Sequence, residues 1–295
     1  NYINAGQGGL LDINYKDGTV WVSYVEKLTF RKIYRFSIAK GKFNNERIIF
    51  ENIFQSLPKN WSEHHFGGRL LIKDEYLFAS LGEQGKKKLA QDPNSHLGSI
   101  IRIKLNGEIP IDNPKFINKP DWLPELYQIG FRNPQGLTAS PFDNKIYASN
   151  HGPKGGDWFG EVKKGENYGW PILGWGGVNY DDTYIGPKWK SGFTKPIKYW
   201  ESSIGVSSIT IYEGNEFNEW NGHALVTSLG SHGALRKINL DSLSKNSEEI
   251  IFENKINRIR DILVNKKDGK IFFLTEKYYG QDGPIEDGLW KMERN

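Results

Sequence analysis

Helical periodicity is almost absent from this 295-residue chain. What recurs is a short apolar strand, a polar turn and a second apolar strand. Leu10 to Tyr15 turns at Lys16-Asp17-Gly18 into Thr19 to Val25. Leu70 to Lys73 turns at Asp74-Glu75 into Tyr76 to Leu81, and Gly136 to Ser140 turns at Phe142-Asp143-Asn144 into Lys145 to Ser149. Ser208 to Tyr212 leads through Asn218 to Asn221 into His223 to Ser228, and Ile259 to Val264 turns at Lys267-Asp268-Gly269 into Lys270 to Thr275. Third strands follow the pairs, such as Lys32 to Ala39, Ser99 to Lys104, Ala234 to Leu240 and Gly288 to Lys291. Arg47 to Phe54 and Glu248 to Phe252 read as fourth strands. Five such units, roughly fifty to eighty residues apart, follow the repeat logic of an all-β propeller with four-stranded blades. A β-sandwich is the competing architecture, but its strands need no such paired recurrence. No flexible tether interrupts the chain, so residues 1–295 read as a single domain.

Composition narrows the function. Lys and Arg total 39 against 35 Asp and Glu, a net charge of +4 with the two signs interspersed. A nucleic-acid binder concentrates positive charge more than this. The run Lys86-Lys87-Lys88 reads as a solvated loop. No apolar run is long enough for a transmembrane helix. The absence of cysteine excludes thiolate metal sites and a cysteine nucleophile. Asn1-Tyr2-Ile3-Asn4 does not read as the opening of a signal peptide.

Five clusters carry residue types suited to chemistry. Gly6-Gln7-Gly8-Gly9 enters a strand and lacks a phosphate-loop lysine, so it reads either as a close-approach loop or as a plain turn. His64-His65 precedes another strand, where a histidine can serve as a general base or as a hydrogen-bonded structural group. Arg132 and Asn133 stand beside Pro134, and the guanidinium can stabilise a developing oxyanion or form a rim salt bridge. In Asn150-His151-Gly152-Pro153, proline donates nothing and glycine is permissive, so the backbone can turn carbonyls toward a hard cation such as Ca²⁺. Strand alternation puts Arg258 and Arg260 on one side, where they ask for carboxylates from a ligand or from flanking acids.

The order of these clusters resembles the soluble quinoprotein sugar dehydrogenases, the glucose/sorbosone dehydrogenase-like or aldose sugar dehydrogenase group. The carrying segments run nearly end to end. They include Gly6 to Asp12, His65-Phe66-Gly67-Gly68-Arg69-Leu70, Leu81-Gly82-Glu83-Gln84 and Ala90 to Gly98. Gly107-Glu108-Ile109-Pro110, Asp112-Asn113-Pro114 and Arg132 to Leu137 continue the series. His151-Gly152-Pro153, Asn167 to Pro171 and Asn257 to Asp261 complete it. The resemblance implies a six-bladed propeller that binds pyrroloquinoline quinone (PQQ) and Ca²⁺ and oxidises the C1 hydroxyl of aldoses to lactones. It implies His65 as the base, Arg132 as the group polarising the quinone oxygen, and the carbonyls of Gly152 and Pro153 as Ca²⁺ ligands. It further implies Asn133, Ser203, Arg258 and Arg260 as cofactor contacts, and Gln7 and Gln84 on the sugar side. An external electron acceptor and a periplasmic or secreted location follow from the same resemblance.

The chain also departs from the family pattern. Asn150 stands where an acid is usual, Phe131 where a histidine is frequent, and Trp158-Phe159-Gly160 where Glu-Ile-Asn is expected. The glutamate of that triplet serves a second Ca²⁺ in some members, so no second ion is expected. No lysine lies near Leu229-Gly230-Ser231, where glucose-oxidising members carry one. The family's N-terminal first blade is not seen ahead of Gln7. The expectation is therefore a propeller with about five visible blades: a processed or truncated product, one completed by another chain, or one that closes with five blades. Two other functions compete: a non-catalytic propeller binding a carbohydrate or protein, and a Ca²⁺-dependent lactonase. The arginine pair argues against the lactonase.

Overall fold

The computed structural model describes residues 6–29, 33–44, 47–57, 59–60, 63–114, 122–230, 233–241, 247–276 and 287–294. Lys32, Ser231 and the segment Asn1-Tyr2-Ile3-Asn4 lie outside them. The fold is a β-propeller, with five antiparallel blades among the described residues.

The chain divides into two compact units. The first comprises Asn1–Pro134, Val162–Leu173 and Trp189–Lys195, and the second Gln135–Glu161, Gly174–Lys188 and Pro196–Asn295. In the first unit, blade 1 runs β1 (Leu10–Lys16), β2 (Thr19–Thr29), β3 (Ile33–Asn44) and β4 (Arg47–Gln55), with β5 (Lys59–Asn60) paired to β3. Blade 2 runs β6 (Gly67–Lys73), β7 (Tyr76–Leu81), β8 (Ser99–Lys104) and β9 (Leu126–Ile129). Blade 3 runs β10 (Pro134–Ala139), β11 (Ile146–Asn150), β12 (Asp157–Glu161) and β13 (Lys198–Trp200), all but Pro134 in the second unit. Blade 4 runs β14 (Val206–Ile211), β15 (Ala224–Ser228), β16 (Ala234–Ile238) and β17 (Glu248–Glu253). Blade 5 has β18 (Arg258–Val264), β19 (Ile271–Glu276) and β20 (Gly288–Met292).

Each of the five strand pairs expected from sequence forms the opening hairpin of a blade. The strands β5, β9, β12 and β13 were not anticipated: β5, β9 and β13 are too brief to show a pattern, and β12 is buried along most of its length and does not alternate. The triple-lysine run is exposed as expected, but Lys87–Gln91 winds into a 3₁₀ turn.

Middle strands are buried on both faces. That is why β7 and β15 read as near-continuous apolar runs, whereas the outer β17 and β20 are largely exposed. In the first unit the core joins Trp21, Phe36 and Ile38 to Leu70, Leu77, Ile101 and Leu126. In the second, Tyr147, Phe159, Val206, Ile209 and Val226 form one cluster, and Tyr212, Leu235, Ile259, Ile271 and Phe273 another.

Buried hydroxyls stitch the strands together where apolar packing leaves carbonyls dry. Ser23 on β2 donates to Gly68 O at 2.5 Å, and Ser80 on β7 donates to Pro134 O at 3.0 Å. In the second unit Ser149 on β11 donates to Ser207 O, and Ser207 donates to Ile259 O at 2.6 Å. Asp12 and Asp261 play matching parts in blades 1 and 5. Asp12 accepts from Leu70 N at 2.7 Å, and Asp261 from Ser208 Oγ at 2.7 Å.

Pairing slips in register near the start of the first strand in blades 1, 2, 4 and 5. Such irregularities re-aim side chains at one end of a strand, and this is the end where the candidate residues stand. Leu10, Ile13 and Tyr15 on β1 are more than half exposed, as are Leu263, Leu274 and Leu289 in blade 5. Apolar side chains so placed are sheet surface without cover among the described residues.

Candidate active site

The candidate residues fall into two groups, one in each unit. The group in the first unit is built on the hairpin of blade 2. His65 precedes β6 and takes a left-handed backbone conformation, φ 58°, as does Gln84 after β7, φ 48°. Non-glycine residues hold that conformation only where the surroundings enforce it. Here the backbone does so. Gln84 N–H donates to His65 O at 3.2 Å, and Glu83 N–H donates to Arg132 O at 2.8 Å. Gly82 makes the approach possible, because a Cβ there would lie 1.9 Å from His65 O.

His65 Nδ1 lies 2.6 Å from Glu83 Oε1, and Glu83 is buried. A carboxylate accepts only, so Nδ1 carries the proton and Nε2 keeps its lone pair. Among the described residues the second oxygen of Glu83 is buried with no hydrogen-bond partner. Burial is the main force holding the His65 imidazole below its ordinary pKa, joined by the charges of Arg132 and His64 and opposed by Glu83. Gln7 Oε1 accepts from His65 N at 2.8 Å, and Asn133 Oδ1 accepts from Gly67 N at 3.2 Å. Arg132 is buried with its guanidinium 5.7 Å from the centre of the Trp170 ring. The structure thus brings together His65, Gln7, Gln84, Arg132 and Asn133. It adds Glu83, a residue sequence reasoning quoted within a motif but gave no role. A carboxylate eighteen residues from a histidine, at the end of the partner strand in one hairpin, was the available signal.

Other motif segments are scaffold. Gln91 and Asn167 exchange side-chain amide bonds at 3.0 and 2.8 Å, and Gln91 also donates to Trp170 O at 2.7 Å. Phe131, at the position where a histidine is frequent, is fully buried edge-on to Tyr168.

The group in the second unit has two parts. Gly152 and Pro153 are buried in the turn after β11. A Cβ on Gly152 would lie 2.4 Å from Gly155 O, so the turn closes only around glycine. Gly152 N–H donates to Asp157 Oδ1 at 2.7 Å, and Ser203 Oγ donates to Asp157 Oδ2 at 2.8 Å. The Ser203 proton is therefore committed to Asp157, and the hydroxyl can meet a ligand only as an acceptor. Asn150 and Trp158 are both buried.

The second part is the arginine pair on β18. Arg258 Nε lies 3.1 Å from Glu276 Oε1, and Arg260 Nη2 bonds the same oxygen. Both side chains converge as expected from sequence, but not by alternation alone. Arg258 is the cross-strand partner of Glu276, and the register slips between Ile259 and Asp261, where Arg260 stands. One carboxylate oxygen thus lies against both guanidiniums.

A family model described as Glucose / Sorbosone dehydrogenase matches residues 1–285. The chain belongs to the glucose/sorbosone dehydrogenase family. It is an oxidoreductase of the sugar dehydrogenase class with a β-propeller fold. Aldose sugar dehydrogenase YliI of Escherichia coli (strain K12) is 33% identical over 294 residues, spanning 94% of this chain and 76% of that protein. A solved glucose dehydrogenase superposes with a TM-score of 0.90 at 29% identity, covering 100% of this chain and 86% of the other. The PQQ-bound form of an aldose sugar dehydrogenase from Streptomyces coelicolor shares the fold, with a TM-score of 0.77 at 24% identity, covering 99% and 81%.

Within this family the donor chemistry fits the implied groups. Among the described residues no cluster of three or more His, Asp or Glu could cage a metal. Ca²⁺ accepts backbone carbonyl oxygens together with oxygens of a bound ligand, and Gly152 and Pro153 suit that mode. Two guanidiniums brought together on β18 suit a cofactor that carries carboxylates.

Proposed function

We propose that this protein is a PQQ- and Ca²⁺-dependent dehydrogenase that oxidises the C1 hydroxyl of aldose sugars to lactones. The observation that carries the reading is the His65–Glu83 pair, a half-buried imidazole on a buried carboxyl group with Arg132 beside it, in a chain of this family. The reaction removes the C1 hydrogen as hydride and the hydroxyl hydrogen as a proton. PQQ, when bound, supplies the acceptor for the hydride. His65 Nε2 takes the hydroxyl proton, and Glu83 keeps the ring in the tautomer that can do so. Arg132 would face the quinone and supply the positive charge that polarises its oxygen.

Gly152 and Pro153 would hold Ca²⁺, a Lewis acid for the same cofactor. Arg258 and Arg260 would grip its carboxylates, Asn133 and Ser203 would contact it, and Gln7 and Gln84 would border the sugar. An external acceptor takes the electrons onward. The same reading carries a periplasmic or secreted location, testable by cell fractionation. Another chain laid against the exposed apolar faces of blade 1 or blade 5 would bury them, and sedimentation with candidate chains checks that.

One observation favours a second reading. Glu276 already engages both arginines, as a propeller that binds a carbohydrate or protein without a cofactor would arrange them. A titration separates the two. PQQ with CaCl₂ is added to purified, folded apo-protein, followed by absorbance and calorimetry, and an aldose is then supplied with a dye acceptor. The enzyme reading expects saturable, Ca²⁺-dependent binding near one equivalent, then turnover. A folded sample that binds no PQQ and oxidises no aldose overturns it.

A further inference from the structure

Asp157 opens β12 with no exposed surface. Burying a carboxylate is costly unless its oxygens are satisfied. Among the described residues four donors do so, and none is a cation. Oδ1 accepts from Gly152 N at 2.7 Å. Oδ2 accepts from Ser203 Oγ at 2.8 Å, Ile204 N at 3.0 Å and Val206 N at 2.9 Å. The donors come from two loops of the second unit, the turn after β11 and the approach to β14. Further ties join the same loops. Ser203 N–H donates to Lys154 O at 3.2 Å, and Gly156 N–H to Trp200 O at 2.8 Å. Buried oxygens satisfied only by backbone and hydroxyl donors hold those donors pointing inward. The amide entering Gly152 is turned toward Asp157, and this constrains the peptide that follows it, which bears the Gly152 carbonyl. Pro153 has no N–H to compete.

We infer that Asp157 is a positioning residue that sets the orientation of the Gly152–Pro153 carbonyls for a divalent cation and fixes Ser203 as an acceptor. This assignment rests on the cation reading proposed above. Asp157 itself touches neither cation nor substrate. It acts as the outer partner that orients a ligating group.

The test is Asp157→Asn. The amide oxygen can still face Ser203, Ile204 and Val206, but its NH₂ then meets Gly152 N–H, donor against donor. CaCl₂ is titrated calorimetrically into apo-protein with and without PQQ, and thermal unfolding is recorded alongside. The matched control is Tyr212→Phe, which removes a buried hydroxyl that donates to Gly269 O at 2.8 Å and accepts from Phe217 N at 2.9 Å. Asp157→Asn is expected to weaken Ca²⁺ binding at least about tenfold, while Tyr212→Phe lowers thermal stability and leaves Ca²⁺ affinity unchanged. Unchanged affinity in Asp157→Asn, or an equal loss in Tyr212→Phe, overturns the role of Asp157 and leaves the enzyme reading standing. Wild-type protein that binds no Ca²⁺ under either condition overturns the cation reading and this assignment together. If Asp157→Asn does not fold, Ser203→Ala removes one of the four donors. It is expected to weaken Ca²⁺ binding about threefold, and unchanged affinity there overturns the inference.

Discussion

His65 is held in a backbone conformation that few histidines adopt, with its imidazole against a buried carboxylate. Its position is strained and its protonation state is set. Burial, with Arg132 and His64, keeps its folded pKa below the unfolded value, and Glu83 works the other way. Between those two values the unfolded chain binds more protons than the folded one, so stability rises with pH there. The contribution of this group is complete above an unfolded value of about 6.5 and is lost as pH falls through the folded value. Activity follows the same direction, because the base must be neutral. Replacing Glu83 by Gln removes the group that raises the pKa. The acid limb of the kcat/KM profile is then expected to move to lower pH, while kcat falls because the tautomer is no longer enforced. An acid limb unmoved in Glu83→Gln would separate Glu83 from His65. His65→Ala is expected to lower dye-linked sugar oxidation by a factor of about 10² to 10⁴, with Ca²⁺-dependent PQQ binding retained in the same titration.

Within the blades, small hydroxyl residues do what larger side chains cannot. Ser207 donates to Ile259 O and lies 2.8 Å from Thr227 Oγ1, all in dry surroundings. Ser207→Ala removes this donor from the Ile259 carbonyl, while Thr227 Oγ1 keeps the Ser208 N–H at 3.1 Å. The expected cost is about 1–3 kcal/mol, read as a fall in the denaturant midpoint at unchanged m-value. Each second strand carries a serine or threonine in the sequence, Ser23, Ser80, Ser149, Thr227 and Thr275. Its meaning was not legible there, because a buried serine and a solvated one look alike until the neighbouring strand is placed. The strand pairs themselves were legible, since two-residue alternation and Asp-Gly or Asp-Asn turns are local signals. β12 was not, since Asp157-Trp158-Phe159-Gly160-Glu161 is buried along most of its length and does not alternate.

At the scale of the whole molecule, a ligand that binds only the folded chain stabilises it by mass action. Ca²⁺ with PQQ at a hundred times the dissociation constant is expected to add about 2.7 kcal/mol. The melting temperature should therefore climb with the logarithm of ligand concentration and fall on chelation. A melting temperature indifferent to both would leave the folded state without the site proposed for it. The sequence by itself determined the blade repeat, the fold class and the kinds of residue available, because hydrophobic period, turn chemistry and motif order are properties of neighbouring residues. It also singled out His65, Arg132, the Gly152–Pro153 turn and the Arg258–Arg260 pair. Tertiary structure alone decided what those groups meet. Glu83 reaches His65 across a hairpin whose glycine admits the backbone. Glu276 lies opposite Arg258 and also reaches Arg260, beside a slip in register. Asp157 gathers its donors from Gly152 and from a loop that begins more than fifty residues further on, at Ser203. Such partnerships depend on register and burial, and the energy that fixes them arises only when distant strands exclude water together.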